Sequence, residues 1–179
     1  GNFIDQVTAN ATGDPATNED DVTHRIGIVK FSGNESDQIG NDTYRSDGNT
    51  YNYSQAVQDL TSVTGNVQSL KNAVNELAAA GSTRTDFGLN QAQRVLDGDW
   101  QHGLGGAREE AKQVVVVFTD GEPSTFSNWS GGVAANAVNL AKDLKDDKVT
   151  VYTIGMFEDA DPSDTDGRFN KYMNGVSSN

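Results

Sequence analysis

The sequence of 179 residues contains no cysteine. That excludes disulfides, thiolate metal sites and cysteine nucleophiles, while leaving the compartment open. Histidine is nearly missing as well: His24 and His102 stand far apart, without metal-ligand spacing, and read as ordinary residues. No apolar run approaches the roughly 20 residues that a membrane-spanning helix needs. No stretch reads as a secretory leader, so a signal or anchor is expected only outside this sequence. Basic residues are scarce, with 13 Lys and Arg against 26 Asp and Glu, for a net charge of −13. A field of that sign repels nucleic acid and anionic membrane and attracts cations. Also missing are a G-x-S-x-G elbow, a P-loop and a G-x-G-x-x-G turn after a strand. An enzyme is therefore not expected.

What is present reads as one domain. The length suffices to bury a core, although hydrophobic residues make up only 35% and Gly 19 implies many turns. Val114-Val115-Val116-Val117-Phe118 cannot alternate between a wet and a dry face, which predicts a parallel strand buried on both sides. The run stops at Thr119-Asp120-Gly121-Glu122-Pro123. Ligands of open α/β sheets bind beyond the carboxyl ends of the strands, so Asp120 and Glu122 are candidate site residues. Capping of the turn is the competing role for Asp120.

The remaining elements follow from periodicity. Phe3, Ile4, Val7 and Ala11 share a helical face, and residues 13–21 read as a solvated loop. Residues 25–31 (RIGIVKF) form a strand. Residues 33–53, rich in Asn, Asp, Gly and Tyr, read as a polar surface arm or insertion, with an edge strand around Tyr53–Leu60. Val67, Leu70, Val74 and Leu77 mark an amphipathic helix that Gly81 stops, and Leu89, Ala92, Val95 and Leu96 mark another. Residues 97–106 form a glycine-rich loop. After strand 114–119 come a helix through Val133, Ala137, Leu140, Ala141 and Leu144 and a strand over Val149–Phe157. An acidic loop at 158–167 leads to a last helix with Phe169, Tyr172, Met173 and Val176. Strands alternating with long helices define an α/β, Rossmann-like, mostly parallel sheet flanked by helices.

Two further stretches carry oxygen donors. Gly81-Ser82-Thr83-Arg84-Thr85-Asp86 joins two helices; Thr85 or Asp86 is a good N-cap, which leaves Thr83 for another task. Glu158–Asp166 lacks EF-hand spacing and reads as solvated loop.

RIGIVKF, GSTRTDFGL, VVVVFTDGEPS and VTVYTIGMF together resemble a von Willebrand factor A domain, nearly end to end. The arm NDTYRSDGNTYNYSQ and the phrases LNQAQRVL and NAVNLAKDLKD resemble the A domains of Gram-positive surface adhesins and pilus-tip proteins. The resemblance implies a six-stranded sheet with a metal-ion-dependent adhesion site (MIDAS) above it. Its metal threonine falls on Thr83, its metal aspartate on Asp120, and Glu122 matches a ligand-binding rim residue. Oxygen donors suit Mg²⁺, or Mn²⁺ or Ca²⁺. The implied partner is a host or matrix protein whose acidic residue completes the metal's coordination. The implied location is extracellular, at a cell surface or wall.

The family's first strand, D-x-S-x-S, and its last strand have no counterpart in residues 1–179. The domain is therefore expected to be truncated at both ends, with its metal site completed only by residues outside this chain. The missing first strand belongs between RIGIVKF and VVVVFTD. Ladder hydrogen bonds at roughly 0.5–1.5 kcal/mol each make such a central strand comparable to the roughly 5–15 kcal/mol that holds a domain together. The remainder of a longer chain, or a second polypeptide, is expected to complete the sheet. A metal-dependent adhesion module is the leading functional expectation. The alternatives are a pilus or wall scaffold with a degenerate site and, behind it, a metal-dependent hydrolase.

Overall fold

The computed structural model describes residues 2–9, 24–33, 43–46, 49–52, 54–98, 106–126, 128–156 and 167–178. In chain order its elements are α1 (Asn2–Ala9), β1 (Arg25–Lys30), β2 (Thr43–Ser46), β3 (Asn49–Asn52), β4 (Gln55–Ser62), α2 (Val67–Asn75), α3 (Thr85–Asp97), β5 (Val114–Thr119), β6 (Ser124–Thr125), β7 (Asn128–Trp129), α4 (Gly131–Asp146), β8 (Thr150–Gly155) and α5 (Arg168–Val176). The class is α/β, as the alternation predicts. Ala11, His102, Phe157 and the acidic stretch 158–166 lie outside the described residues.

The valine run pairs in parallel with β8, Val114 opposite Thr150 through Thr119 opposite Gly155. Val117 and Val151 enter the main core with Leu89 of α3, Ala134, Ala137, Ala141 and Leu144 of α4, and Tyr172, Met173 and Val176 of α5. The alanines of α4 let that helix lie close to the sheet, and each large aliphatic side chain buried there contributes about 1.5–3 kcal/mol. α3 covers β1 and β4 as tightly: a Cβ on Gly88 would stand 2.7 Å from the Phe31 ring. Ile4, Val63 and Leu70 make a smaller second cluster, against which Val7, Ile26 and Ile28 pack.

The strands fall into separate pairs, as expected for a chain with no strand of its own between RIGIVKF and VVVVFTD. β1 pairs antiparallel with β4, and β5 pairs with β8, but among the described residues these remain separate two-stranded sheets. No described strand links β1 to β5. Nor is the valine strand buried on both faces. Val114 (42% exposed), Phe118 (44%), Tyr152 (51%) and Ile154 (42%) share an open face of β5 and β8. Phe3, itself exposed, meets Phe118 edge-on at its margin, ring centroids 5.9 Å apart. Along the run, Val114 is exposed, Val115 and Val116 are half-buried and Val117 is buried. No described helix lies over that face.

Three local expectations also change. The arm contains a hairpin, with Thr43 opposite Asn52 and Ser46 opposite Asn49. α2 ends at Asn75, capped at Glu76 rather than stopped by Gly81, and Val74 and Leu77 are exposed. Its last turn is mostly exposed, and short helices depend on packing to persist. Neither Thr85 nor Asp86 caps α3, whose N-cap is Arg84. The Asp86 carboxylate instead accepts two bonds from the Arg84 guanidinium, at 2.9 Å each, with both side chains buried.

Candidate metal centre

Thr83, Asp120 and Glu122 come from loops at one end of the strands, and the structure ties those loops together by backbone bonds. Ser124 N–H donates to Thr83 O at 3.0 Å, and Thr83 N–H donates to Ser124 Oγ at 3.0 Å. One residue earlier, Ser82 N–H donates to Gly33 O at 3.1 Å. The 82–83 loop is thereby fastened both to the turn after β5 and to the chain leaving β1.

The turn after β5 is held from within. Thr119 Oγ1 donates to Gly121 O at 2.9 Å and accepts from Gly121 N–H at 3.3 Å. Met156 N–H donates to Thr119 O at 2.9 Å, which anchors the strand end to β8. Pro123 is buried, its carbonyl accepts from Ser130 N–H at 2.9 Å, and Ser130 then caps α4 by accepting from Val133 N–H. Asp120 is exposed at the top of this braced turn.

Thr83 Oγ1 lies against that turn. A Cβ built on Gly121 would stand only 2.6 Å from it. The residue after Asp120 thus lacks a side chain where the Thr83 hydroxyl needs the space. A hydroxyl and a carboxylate brought to one turn are hard oxygen donors, suited to Mg²⁺, Mn²⁺ or Ca²⁺ and ill suited to soft metals. Two donors are fewer than the six or more these ions take. Among the described residues, no three acidic or histidine side chains cluster to hold a metal. The residues present fit part of a divalent-cation site.

Glu122 stands apart from the Thr83–Gly121 contact and is half-exposed. Arg168, at the start of α5, donates to its Oε2 at 2.8 Å. The same guanidinium sits 4.3 Å over the Trp129 ring. Motif reading singled out neither Ser124, which clamps Thr83, nor Arg168, which holds Glu122. Ser124 adjoins the TDGEP run but has no distinguishing pattern, and Arg168 is distant in sequence.

The chain matches the model of the von Willebrand factor type A domain over residues 2–171, and it belongs to that family. It is thus one of a class of adhesion and protein-binding modules, members of which generally bind protein ligands and are often extracellular. No curated protein matches it. Among solved structures it is similar to proximal thread matrix protein 1 from the mussel byssus, with 17% identity and a TM-score of 0.53. That match covers 99% of this chain and 32% of the other, so the chain spans about a third of that structure's length. At this identity the likeness shows the fold alone. No helix among the described residues is long and apolar enough to cross a membrane.

Proposed function

We propose that this chain is a metal-dependent ligand-binding module in which Thr83 and Asp120 donate oxygens to Mg²⁺, Mn²⁺ or Ca²⁺ and Glu122 lines the rim. The observation that carries the reading is the approach of Thr83 Oγ1 to Gly121, with no Cβ between them. A cation there would offer a Lewis-acid point for a carboxylate of the partner protein. The chain's own residues do the positioning: Ser124 fixes the Thr83 backbone, and Thr119 fixes the turn that presents Asp120. The remaining donors lie outside the described residues. A cell-surface or wall-associated adhesin, of the kind found on Gram-positive bacteria and pilus tips, is the setting we favour. We assign it no catalytic role.

In the full-length protein, Asp120→Ala should abolish calorimetric binding of Mg²⁺ and Mn²⁺ together with adhesion. Unchanged metal affinity and unchanged adhesion would end this reading. A structural scaffold with a degenerate site is the second reading, favoured by the likeness to a byssal thread matrix protein. It requires that the full-length protein bind neither ion, with Asp120→Ala leaving its assembly unaltered.

A further inference from the structure

A groove of about 390 Å³ runs between α4 and α5. Its walls are Trp129, Ala134, Val138 and the ring of Tyr172, with Trp129 and Tyr172 packed edge to face at 6.1 Å between centroids. Arg168 and Lys171, one helical turn apart on α5, supply its charge. No acidic residue occurs in α5, whose sequence is RFNKYMNGV. Two cationic side chains thus stand beside an apolar slot.

The groove opens at the metal-centre end of the molecule. Trp129 lies in the hairpin that follows Asp120, and Arg168 reaches from the groove to Glu122. Arg168 is held by two weak restraints, an exposed ion pair to Glu122 and a stacking contact on Trp129. A ligand carboxylate can take the place of Glu122 on the guanidinium while an apolar side chain fills the slot below it.

We propose that this groove is a second contact site for a protein ligand, taking an acidic peptide segment that carries one aromatic or large aliphatic side chain. The proposal rests on the reading of this chain as a ligand-binding module, but not on the metal.

The probe is a fluorescein-labelled, capped peptide of glutamates and aspartates around one phenylalanine, titrated by anisotropy into the full-length protein. Two controls replace the acids by their amides or the phenylalanine by alanine. The acidic aromatic peptide should bind at least about tenfold tighter than either control, a difference of about 1.4 kcal/mol. The R168E/K171E double variant should lose that preference. Ala135→Trp should lose it too, because Ala135 lines the groove and the indole would fill it with both charges intact. Both variants should keep the parent circular dichroism spectrum. The titrations are run in EDTA throughout, so that a metal at Thr83 and Asp120 contributes nothing to the binding of the peptide carboxylates. Equal binding of all three peptides, or a preference that survives R168E/K171E, would overturn the proposal. Failure of the unmutated full-length protein to bind Mg²⁺ or Mn²⁺, with the peptide preference intact, would instead count against the metal site alone.

Discussion

Gly121→Ala isolates the contact on which the metal site depends. Gly121 has no positive φ, so alanine can adopt its backbone and the effect is steric. The added Cβ would lie 2.6 Å from Thr83 Oγ1, where ordinary contact begins at 3.4 Å. The hydroxyl must therefore retreat by the difference, about 0.8 Å, or rotate to another rotamer. The Thr83 backbone cannot yield easily, because Ser124 clamps it with two 3.0 Å bonds. A threonine has few χ1 wells, and an off-rotamer position costs about 0.5–1.5 kcal/mol. Metal bonds tolerate about 0.2 Å, so either response removes Thr83 as a donor. Mn²⁺ affinity of the full-length protein should fall by about 10- to 100-fold, read by isothermal titration calorimetry. The metal-free melting temperature should move little. Wild-type affinity in Gly121→Ala, with the variant folded, would refute the assignment of Thr83 to the metal.

Three other perturbations follow. Arg84→Ala strands the buried Asp86 carboxylate and should cost about 3–5 kcal/mol in urea unfolding, whereas R84M/D86L, which removes both charges, should cost less; a loss below about 1 kcal/mol for Arg84→Ala would contradict the buried pair. Burial pushes the Tyr172 phenol up to about 12, against a small lowering by the Thr85 hydroxyl and a small raising by Asp86. The folded state then keeps a proton that the unfolded chain releases, so stability should drop by about 2–3 kcal/mol as pH rises from about 10 to about 12, and Tyr172→Phe should remove that drop. The polypeptide of 179 residues, with the open face that Val114, Phe118, Tyr152 and Ile154 form on β5 and β8, should bind a hydrophobic dye, and Phe118→Asp should weaken that binding; no dye binding would show the face to be covered.

Periodicity located the helices and the longer strands because burial of one face writes itself into the residue order. α4 and α5 show this best, since Ala137, Ala141, Leu144, Tyr172, Met173 and Val176 are buried. The same logic misread 114–118. A run of apolar residues carries no mark of which face is covered, and only packing reveals that Val114 and Phe118 are open. The β2–β3 hairpin did have a signal: Asp47-Gly48 stands between two threonine- and tyrosine-bearing runs, and Asp-Gly favours the tight hairpin turn. Its polarity drew attention to loop character instead. The candidate site was legible only as residue types. Thr83 and Asp120 are 37 positions apart in the sequence, and their association depends on Ser124 and on backbone bonds that no side-chain pattern records.

The gap in the sheet and the shortage of metal donors have one structural origin. Loop 82–83 is bonded to Gly33, beyond the end of β1, and to Ser124, beyond the end of β5. It therefore spans an interval between β1 and β5 that no described strand fills. A strand placed in that interval, parallel to β5, would pair with both edges and end beneath the loop, facing Thr83 and Asp120. Its terminal side chains are the natural source of the oxygens that the site lacks. Continuity of the sheet and completion of the metal shell would then arrive on the same segment. Anything that binds only the completed site stabilises the completed fold by the same free energy. Mg²⁺ or Mn²⁺ should accordingly raise the melting temperature of the full-length protein, and Asp120→Ala should remove that rise; a melting temperature that neither ion moves would refute the linkage.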